Sequence, residues 1–213
     1  MSRYDTEQEQ IEAIKAWWAK YGTLILSGVL VVAIAFAGWR YWQSYTYAQS
    51  ANASATFEVL ELSHQNGAFG EVSREARRLM QEQPSSPYAG AAAMMLAQFH
   101  WEKAESEEAL DALQWVVNAK QPADMQVTAQ LRMARIQIEL SQLDEAQKLL
   151  DTLATQKLGG AQQANVDYVM ALLAQSQQNF SQAQAAFKRV VDNQQAQTDL
   201  RNIARLQMDD LAQ

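Results

Sequence analysis

The chain has 213 residues, a formal net charge of −7 and no cysteine. The lack of cysteine excludes a disulfide scaffold and cysteine-based zinc or redox chemistry. The first 42 residues carry as many acids as bases, so the whole net charge belongs to the remainder of the chain. An acidic domain of this kind does not favour nucleic acid as a partner.

An apolar stretch near the N-terminus, "YGTLILSGVLVVAIAFAGW", contains neither a charge nor a proline. As a helix, its roughly 19 residues cover about 28 Å, close to the ~30 Å of a membrane hydrocarbon core. The stretch therefore predicts one transmembrane helix over residues 21–39. Trp, Tyr, Lys and Arg settle at the lipid headgroups, where their polar ends reach water. The predicted membrane-interface anchors are Trp17, Trp18, Lys20, Tyr21, Trp39, Arg40, Tyr41 and Trp42.

Two other interpretations compete with this anchor. A buried core helix can be equally apolar, but such helices are usually shorter and lack aromatic flanks. A cleaved signal peptide is also consistent with Ala35 and Ala37, which form an A-x-A site before Gly38. The apolar run exceeds the usual signal core of about 7–15 residues, and a charged leader precedes it. These lengths favour an uncleaved anchor.

Basic residues near the apolar helix predict its orientation, because they resist translocation. Arg3, Lys15 and Lys20 precede the helix, whereas Arg40 alone follows it closely. We therefore expect residues 1–20 to be cytoplasmic and 40–52 to form an interfacial aromatic segment and linker. Residues 53–213 are expected to fold on the opposite side of the membrane from the N-terminus.

The remaining chain contains an internal repeat. Segments that start at Met94, Leu131 and Tyr168 align without a gap, at a period of 37 residues. Small residues recur at two aligned positions and large apolar residues at two more. These positions are Ala97, Ala134 and Ala171; Ala109, Ala146 and Ala183; Leu113, Leu150 and Phe187; and Val116, Leu153 and Val190.

Each repeat has the pattern of two helices. Apolar residues are three and four positions apart, polar turns occupy the middle, and the three prolines lie between repeats. We expect a degenerate first unit with Val72, Ala76 and Leu79 in its second helix, and a capping helix with Leu200, Ile203 and Leu206 on one face. The predicted units are 53–84, 90–121, 127–158 and 164–195, followed by a cap at 197–211.

Each repeat has a small residue in its first helix, an alanine 12 positions later at the start of its second helix, and a large apolar residue four positions further on. This pattern resembles the tetratricopeptide repeat. It departs from that repeat in its period, which is 37 rather than about 34 residues. The usual tryptophan position also holds Ala93, Gln130 and Asp167. The resemblance implies an all-α solenoid of helical hairpins, with a groove lined by the first helix of each hairpin.

Matching positions predict a partner-binding groove, formed by Met94, Gln98, Trp101, Leu131, Arg135, Ile138, Tyr168 and Leu172. Arg135 is the only basic residue in this set, which is too little charge for a carboxylate clamp. We expect the groove to accept an apolar peptide or a partner helix. The alternative is that some of these side chains simply pack under the capping helix.

Catalytic patterns do not occur in the sequence. His64 and His100 have no partner at metal-ligand spacing, and no phosphate loop or nucleophile motif is present. The acids Glu102, Glu105, Glu107 and Glu108 are expected to be solvated charges. We therefore expect a protein that is not an enzyme and that needs no metal and no cofactor.

The flanks "QIEAIKAWWAKYG" and "GWRYWQS", the apolar helix between them and the helical-repeat domain together resemble the YfgM family of the bacterial SecYEG translocon. The resemblance implies a single-pass inner-membrane protein with a periplasmic domain. Its partners would be SecYEG, the periplasmic chaperone PpiD, membrane lipid and unfolded secreted clients. Its role would be a non-catalytic scaffold or chaperone-like adaptor; an adaptor in envelope signalling or assembly is the alternative.

Overall fold

The computed structural model describes residues 3–211, with side chains at all of these positions except 3–10, 13, 49 and 69. Residues 1–2 of the predicted cytoplasmic segment and 212–213 of the predicted domain lie outside the described residues. Every regular element between residues 3 and 211 is an α-helix, which confirms the predicted all-α class. The helices are α1 (Arg3–Gln65), α2 (Phe69–Glu82), α3 (Pro87–Glu102), α4 (Ser106–Asn118), α5 (Ala123–Glu139), α6 (Leu143–Ala154), α7 (Gly160–Ser176), α8 (Phe180–Asp192) and α9 (Thr198–Asp210).

The chain divides into two compact units, Met1–Asn52 and Ala53–Gln213. Helix α1 runs through residues 40–52, for which we predicted an interfacial segment and linker. That segment contains no glycine and no proline, so nothing in its sequence ends the helix. The limits 21–39 of the transmembrane segment are consequently not helix ends, and they stay a prediction.

Over residues 21–39, helix α1 is apolar around its whole circumference. Leu24, Val29 and Ile34, each five residues after the last and so about 140° further round the helix, are all exposed. The helical segment Ile14–Gln65 is long enough to cross a membrane, and an 18-residue stretch within it has a mean hydropathy of 2.1. A helix that is apolar on every side requires either a protein core or lipid around it.

The second unit is a row of four helical hairpins. Ala53 and Leu60 at the end of α1 share a hydrophobic cluster with Ala76 and Leu79 of α2. Helix α3 packs with α4, α5 with α6 and α7 with α8, while α9 packs on the last hairpin. Pro87 begins α3 and Pro122 directly precedes α5, so both prolines stand where a helix starts.

All four hairpins turn in the same way, and their turns repeat at the 37-residue period. A residue with positive φ ends the first helix, and the next residue donates its N–H to a carbonyl five positions back. This is the left-handed C-terminal cap, in which glycine is the usual residue. The positive-φ residues are Gly67 (70°), Ala104 (60°), Ser141 (60°) and Gln178 (60°).

The aligned apolar positions form the contact between hairpins. Leu113, Leu150 and Phe187 are at most 1% exposed, and the alanines of both aligned sets are at most 2% exposed. One hydrophobic cluster joins α5, α6 and α7, and another joins α7, α8 and α9. The first hairpin follows the same scheme: Ala76 and Leu79 belong to a hydrophobic cluster, and Val72 is fully buried. Each hairpin therefore buries its apolar residues against its neighbours.

Two polar pairs, each with one buried and one half-exposed member, connect neighbouring elements. His100 Nδ1 lies 2.6 Å from Glu105 Oε2, which links the last turn of α3 to the residue before α4. The prediction of a purely solvated Glu105 is therefore wrong, because the turn brings it back onto His100. In the last hairpin, Arg189 donates a 2.8 Å hydrogen bond to the buried carboxylate of Asp167.

The packed face of α9 differs from the predicted one. Leu200, Ala204 and Met208 face the α7–α8 hairpin, whereas Ile203 and Leu206 are exposed. Residues four apart stack on one helix face, and the small Ala204 lets α9 approach closely. Of the predicted apolar face at 200, 203 and 206, only Leu200 packs on the last hairpin.

Leu150→Ala should lower the free energy of unfolding by about 2–5 kcal/mol, because it opens a cavity in a fully packed joint. Urea denaturation of the full chain in detergent, followed by circular dichroism, measures the change. Leu206→Ala is the matched control: Leu206 is 65% exposed, and its loss should cost less than about 0.5 kcal/mol. Equal effects of the two substitutions would contradict the packing described above.

Ser141→Gly should stabilise the domain by about 0.5–1 kcal/mol. A left-handed conformation costs a residue with a side chain about 1–2 kcal/mol, and glycine removes this cost. The greater conformational entropy of glycine in the unfolded chain offsets part of the stabilisation. Ser73→Gly, inside α2, is the control and should destabilise by about 0.5–1 kcal/mol. The same denaturation measurement compares the two, and a loss of stability in both would refute the assigned turn geometry.

Candidate functional site

Three cavities follow one another along α3, α5 and α7, and Arg135 lines all of them. The first, of about 210 Å³, lies between α3 and α5. The second, of about 400 Å³, lies between α5, α7 and α9, and the third, of about 190 Å³, adjoins the C-terminal parts of α5 and α7. We call these three cavities together the groove. Seven of the eight predicted groove residues line it: Gln98, Trp101, Leu131, Arg135, Ile138, Tyr168 and Leu172.

Several of these residues also support the fold. The eighth predicted residue, Met94, packs against the core of the first hairpins. Leu131 is only 9% exposed, and the Tyr168 ring meets the Phe187 ring edge-on at 5.7 Å between centroids. The side chains most available to a ligand are therefore the exposed Gln98 and Arg135.

The capping helix borders the groove and leaves it open. Leu200 and Ile203 of α9 line the 400 Å³ cavity, opposite Leu131 and Tyr168. Because the packed face of α9 points towards α8, its Ile203 side remains free to form a wall. The alternative, in which some of the predicted groove side chains pack under the cap, holds in part, because Tyr168 and Leu172 pack against the hydrophobic cluster that includes Ala204 of α9.

The prediction that Arg135 is the only basic residue in the groove is wrong. Arg132 lines the first and second cavities together with Arg135. The predicted residues of α5 lie on one face of the helix, from Leu131 to Ile138. Because cavities open on both sides of α5, a residue beside that face, Arg132, also lines them. Burial lowers the pKa of Arg132, and the charge of Arg135 lowers it further.

The groove offers binding chemistry. Its polar groups are guanidinium groups, side-chain amides such as Gln162 and Asn165, and the carboxylate of Glu139. Among the described residues, no group of three or more His, Asp or Glu side chains is arranged to hold a metal ion. Apolar walls with a few charged and amide groups suit recognition of a polypeptide.

The predicted membrane-interface anchors form two exposed aromatic groups in the first unit. Near its start, the Trp17 ring lies 5.8 Å from the Tyr21 ring, and Lys20 Nζ lies 5.2 Å above the Tyr21 ring centroid. Further along, Trp39 and Trp42 are each 69% exposed. Large aromatic rings with this much exposure are typical of a surface that contacts a membrane interface or another protein.

Several known proteins are similar to this chain over most of its length. A family model described as a tetratricopeptide repeat-like domain matches residues 15–213. A protein of Haemophilus influenzae, named ancillary SecYEG translocon subunit, is 30% identical over 212 residues, which covers 94% of this chain and 99% of the relative. A protein of Escherichia coli with the same name is 30% identical over 153 residues, covering 72% of this chain and 73% of the relative.

A third relative of that name, from Neisseria gonorrhoeae, is 23% identical over 153 residues. The family model spans nearly the whole chain, and its helical repeats are the ones found in the second unit. Proteins of this kind are non-catalytic, with a repeat domain that acts as a scaffold. The chain belongs to the family of ancillary SecYEG translocon subunits with a tetratricopeptide repeat-like domain.

Proposed function

We propose that the protein is a membrane-anchored ancillary subunit of the SecYEG translocon. Its repeat domain acts as a non-catalytic scaffold or chaperone-like adaptor, together with PpiD, for newly secreted proteins. The observation that carries this proposal is that one chain of this family combines an apolar helix of membrane length with an open groove on helical hairpins.

Lipid contact follows from the surface of the first unit. The helix exposes apolar side chains in every direction between two aromatic groups, which is the distribution that a bilayer stabilises. The excess of basic residues before the helix supports a cytoplasmic N-terminus at the bacterial inner membrane. The repeat domain then works in the periplasm, where secreted chains emerge.

An adaptor role follows from the groove in the second unit. The groove is long compared with a small-molecule pocket, because it extends over three successive hairpins. Its exposed apolar walls suit an extended segment or a helix of PpiD or of an unfolded client. Repeat domains commonly use such extended surfaces to bind other proteins.

The first test concerns topology. Protease added to spheroplasts should digest the repeat domain and leave a small N-terminal fragment, because only residues beyond the apolar helix are accessible. Intact cells serve as the control, in which the domain should survive. N-terminal sequencing of the mature protein is the decisive second measurement: a chain that starts at Gly38 would mean that the helix is a cleaved signal peptide.

The second test concerns the partners. Affinity purification of the full chain from gently solubilised membranes should recover SecYEG and PpiD. The exposed Thr23 and Ser27, and also Ala33 and Ala37, are pairs of small residues four apart, a spacing that permits close helix packing in lipid. Replacing residues 21–39 with an unrelated apolar helix should therefore weaken this recovery although the domain stays folded.

A matched pair of substitutions sharpens this test. Ala33→Leu together with Ala37→Leu enlarges one helix face, whereas Ala35→Leu enlarges the opposite face. The double variant should recover less SecYEG than the single variant. Full recovery after the helix replacement would make the anchor a simple tether. Recovery of a signalling or envelope-assembly complex without SecYEG would overturn the proposed function itself.

A further inference from the structure

Two arginines of the groove have no ion-pair partner in the part of the chain that the structure describes. Arg132 and Arg135 stand three residues apart on α5, and both line the first and second cavities. The ion pairs among the described side chains involve other basic residues. The two guanidinium groups therefore face solvent-filled space with their hydrogen-bond donors available.

This arrangement does not serve the stability of the fold. Partial burial and the charge of Arg135 lower the pKa of Arg132, although both side chains keep exposed surface. Glu139 lines the first and third cavities with Arg135 but does not come within 4.0 Å of it. An arginine that precedes a glutamate by four residues is also the weaker orientation on a helix. Elsewhere in the domain, Arg189 is paired with a buried carboxylate.

Apolar side chains surround the two arginines. Trp101 and Ile136 lie beside them in the first cavity, and Tyr168, Leu200 and Ile203 in the second. Gln98 of the first cavity adds an amide that can donate or accept hydrogen bonds. Positive charge is therefore concentrated between two apolar walls, on a chain whose net charge is −7.

We propose that the groove binds an acidic and apolar segment of a partner protein. The segment presents two carboxylates about one helical turn apart to Arg132 and Arg135, and its apolar side chains contact the walls on either side. Guanidinium groups bind carboxylates through paired hydrogen bonds, and such bonds are strongest where apolar surface excludes water. Charge complementarity then selects this segment over neutral or basic ones. The proposal rests on the proposed function only in treating the groove as a partner-binding surface.

The test uses the full chain in lipid nanodiscs and a random 12-residue peptide library displayed on phage. Peptides eluted from the protein should be enriched in paired Asp or Glu residues next to large apolar ones. An enriched peptide is then synthesised, labelled and titrated by fluorescence anisotropy. Arg132→Gln with Arg135→Gln should weaken binding at least about tenfold, because one buried carboxylate contact alone has that effect or more.

The control variant is Arg74→Gln with Arg77→Gln, which removes the same charge at the same spacing from the exposed surface of α2. It should bind the peptide like the unmodified chain. Arg132→Lys with Arg135→Lys keeps the charge but loses the paired hydrogen bonds, and should bind with intermediate affinity. Circular dichroism verifies that all variants remain helical.

Enrichment of neutral or basic peptides would overturn the proposal. The proposal would also be overturned if no enriched peptide depended on the two arginines for binding. Equal binding by the groove variant, Arg132→Gln with Arg135→Gln, and by the control variant would have the same consequence. The measurement contains no translocon, so its failure is distinct from a failure of the proposed function, which the recovery of SecYEG tests separately.

Discussion

The contact on which the second unit depends is the stacking of each helical hairpin on the next. Helices of this length are marginal when isolated in water, and a single hairpin cannot bury its own apolar face. Leu113 and Leu150 fill joints between hairpins, Phe187 fills the contact of the last hairpin with the capping helix, and all three are almost wholly removed from solvent. Burial of one such side chain contributes about 1.5–3 kcal/mol. Because α5 and α7 each contribute residues to two hydrophobic clusters, each hairpin stabilises its neighbours along the row.

The identical turns give this stack its regular geometry. A left-handed residue ends the first helix of every hairpin, from Gly67 to Gln178. Only the first turn has glycine, so the other three carry conformational strain that the packing of the hairpins must offset. The repeated turn angle puts α3, α5 and α7 side by side, and this is what assembles the groove. The site is therefore a consequence of the stack and needs no special element of its own.

The two units expose different surfaces. The first exposes apolar residues on all sides of one helix, between two aromatic groups. The second is an acidic domain that conceals its apolar residues in joints and leaves one groove open, with Arg132 and Arg135 at its middle. This division of surfaces supports the proposal that the chain associates with lipid through one unit and with another protein through the other.

The sequence by itself determined the all-α class, the 37-residue repeat, the residues of the joints and the apolar helix of membrane length. These features depend on local periodicity, and a period of three to four residues identifies the buried face of a helix without knowledge of its neighbours. It also located most of the groove residues, since they occupy aligned positions in the repeat.

Other features depended on the tertiary structure. The sequence missed Arg132, because its place in the groove depends on cavities that open on both sides of α5. It assigned Ile203 to the packed face of α9, because the neighbouring Ala204 makes close contact only once α8 is in place. It treated Glu105 as solvated, because the pairing with His100 exists only after the hairpin turns. In each case the deciding contact joins residues from different helices, and periodicity along one helix carries no information about how another helix approaches it.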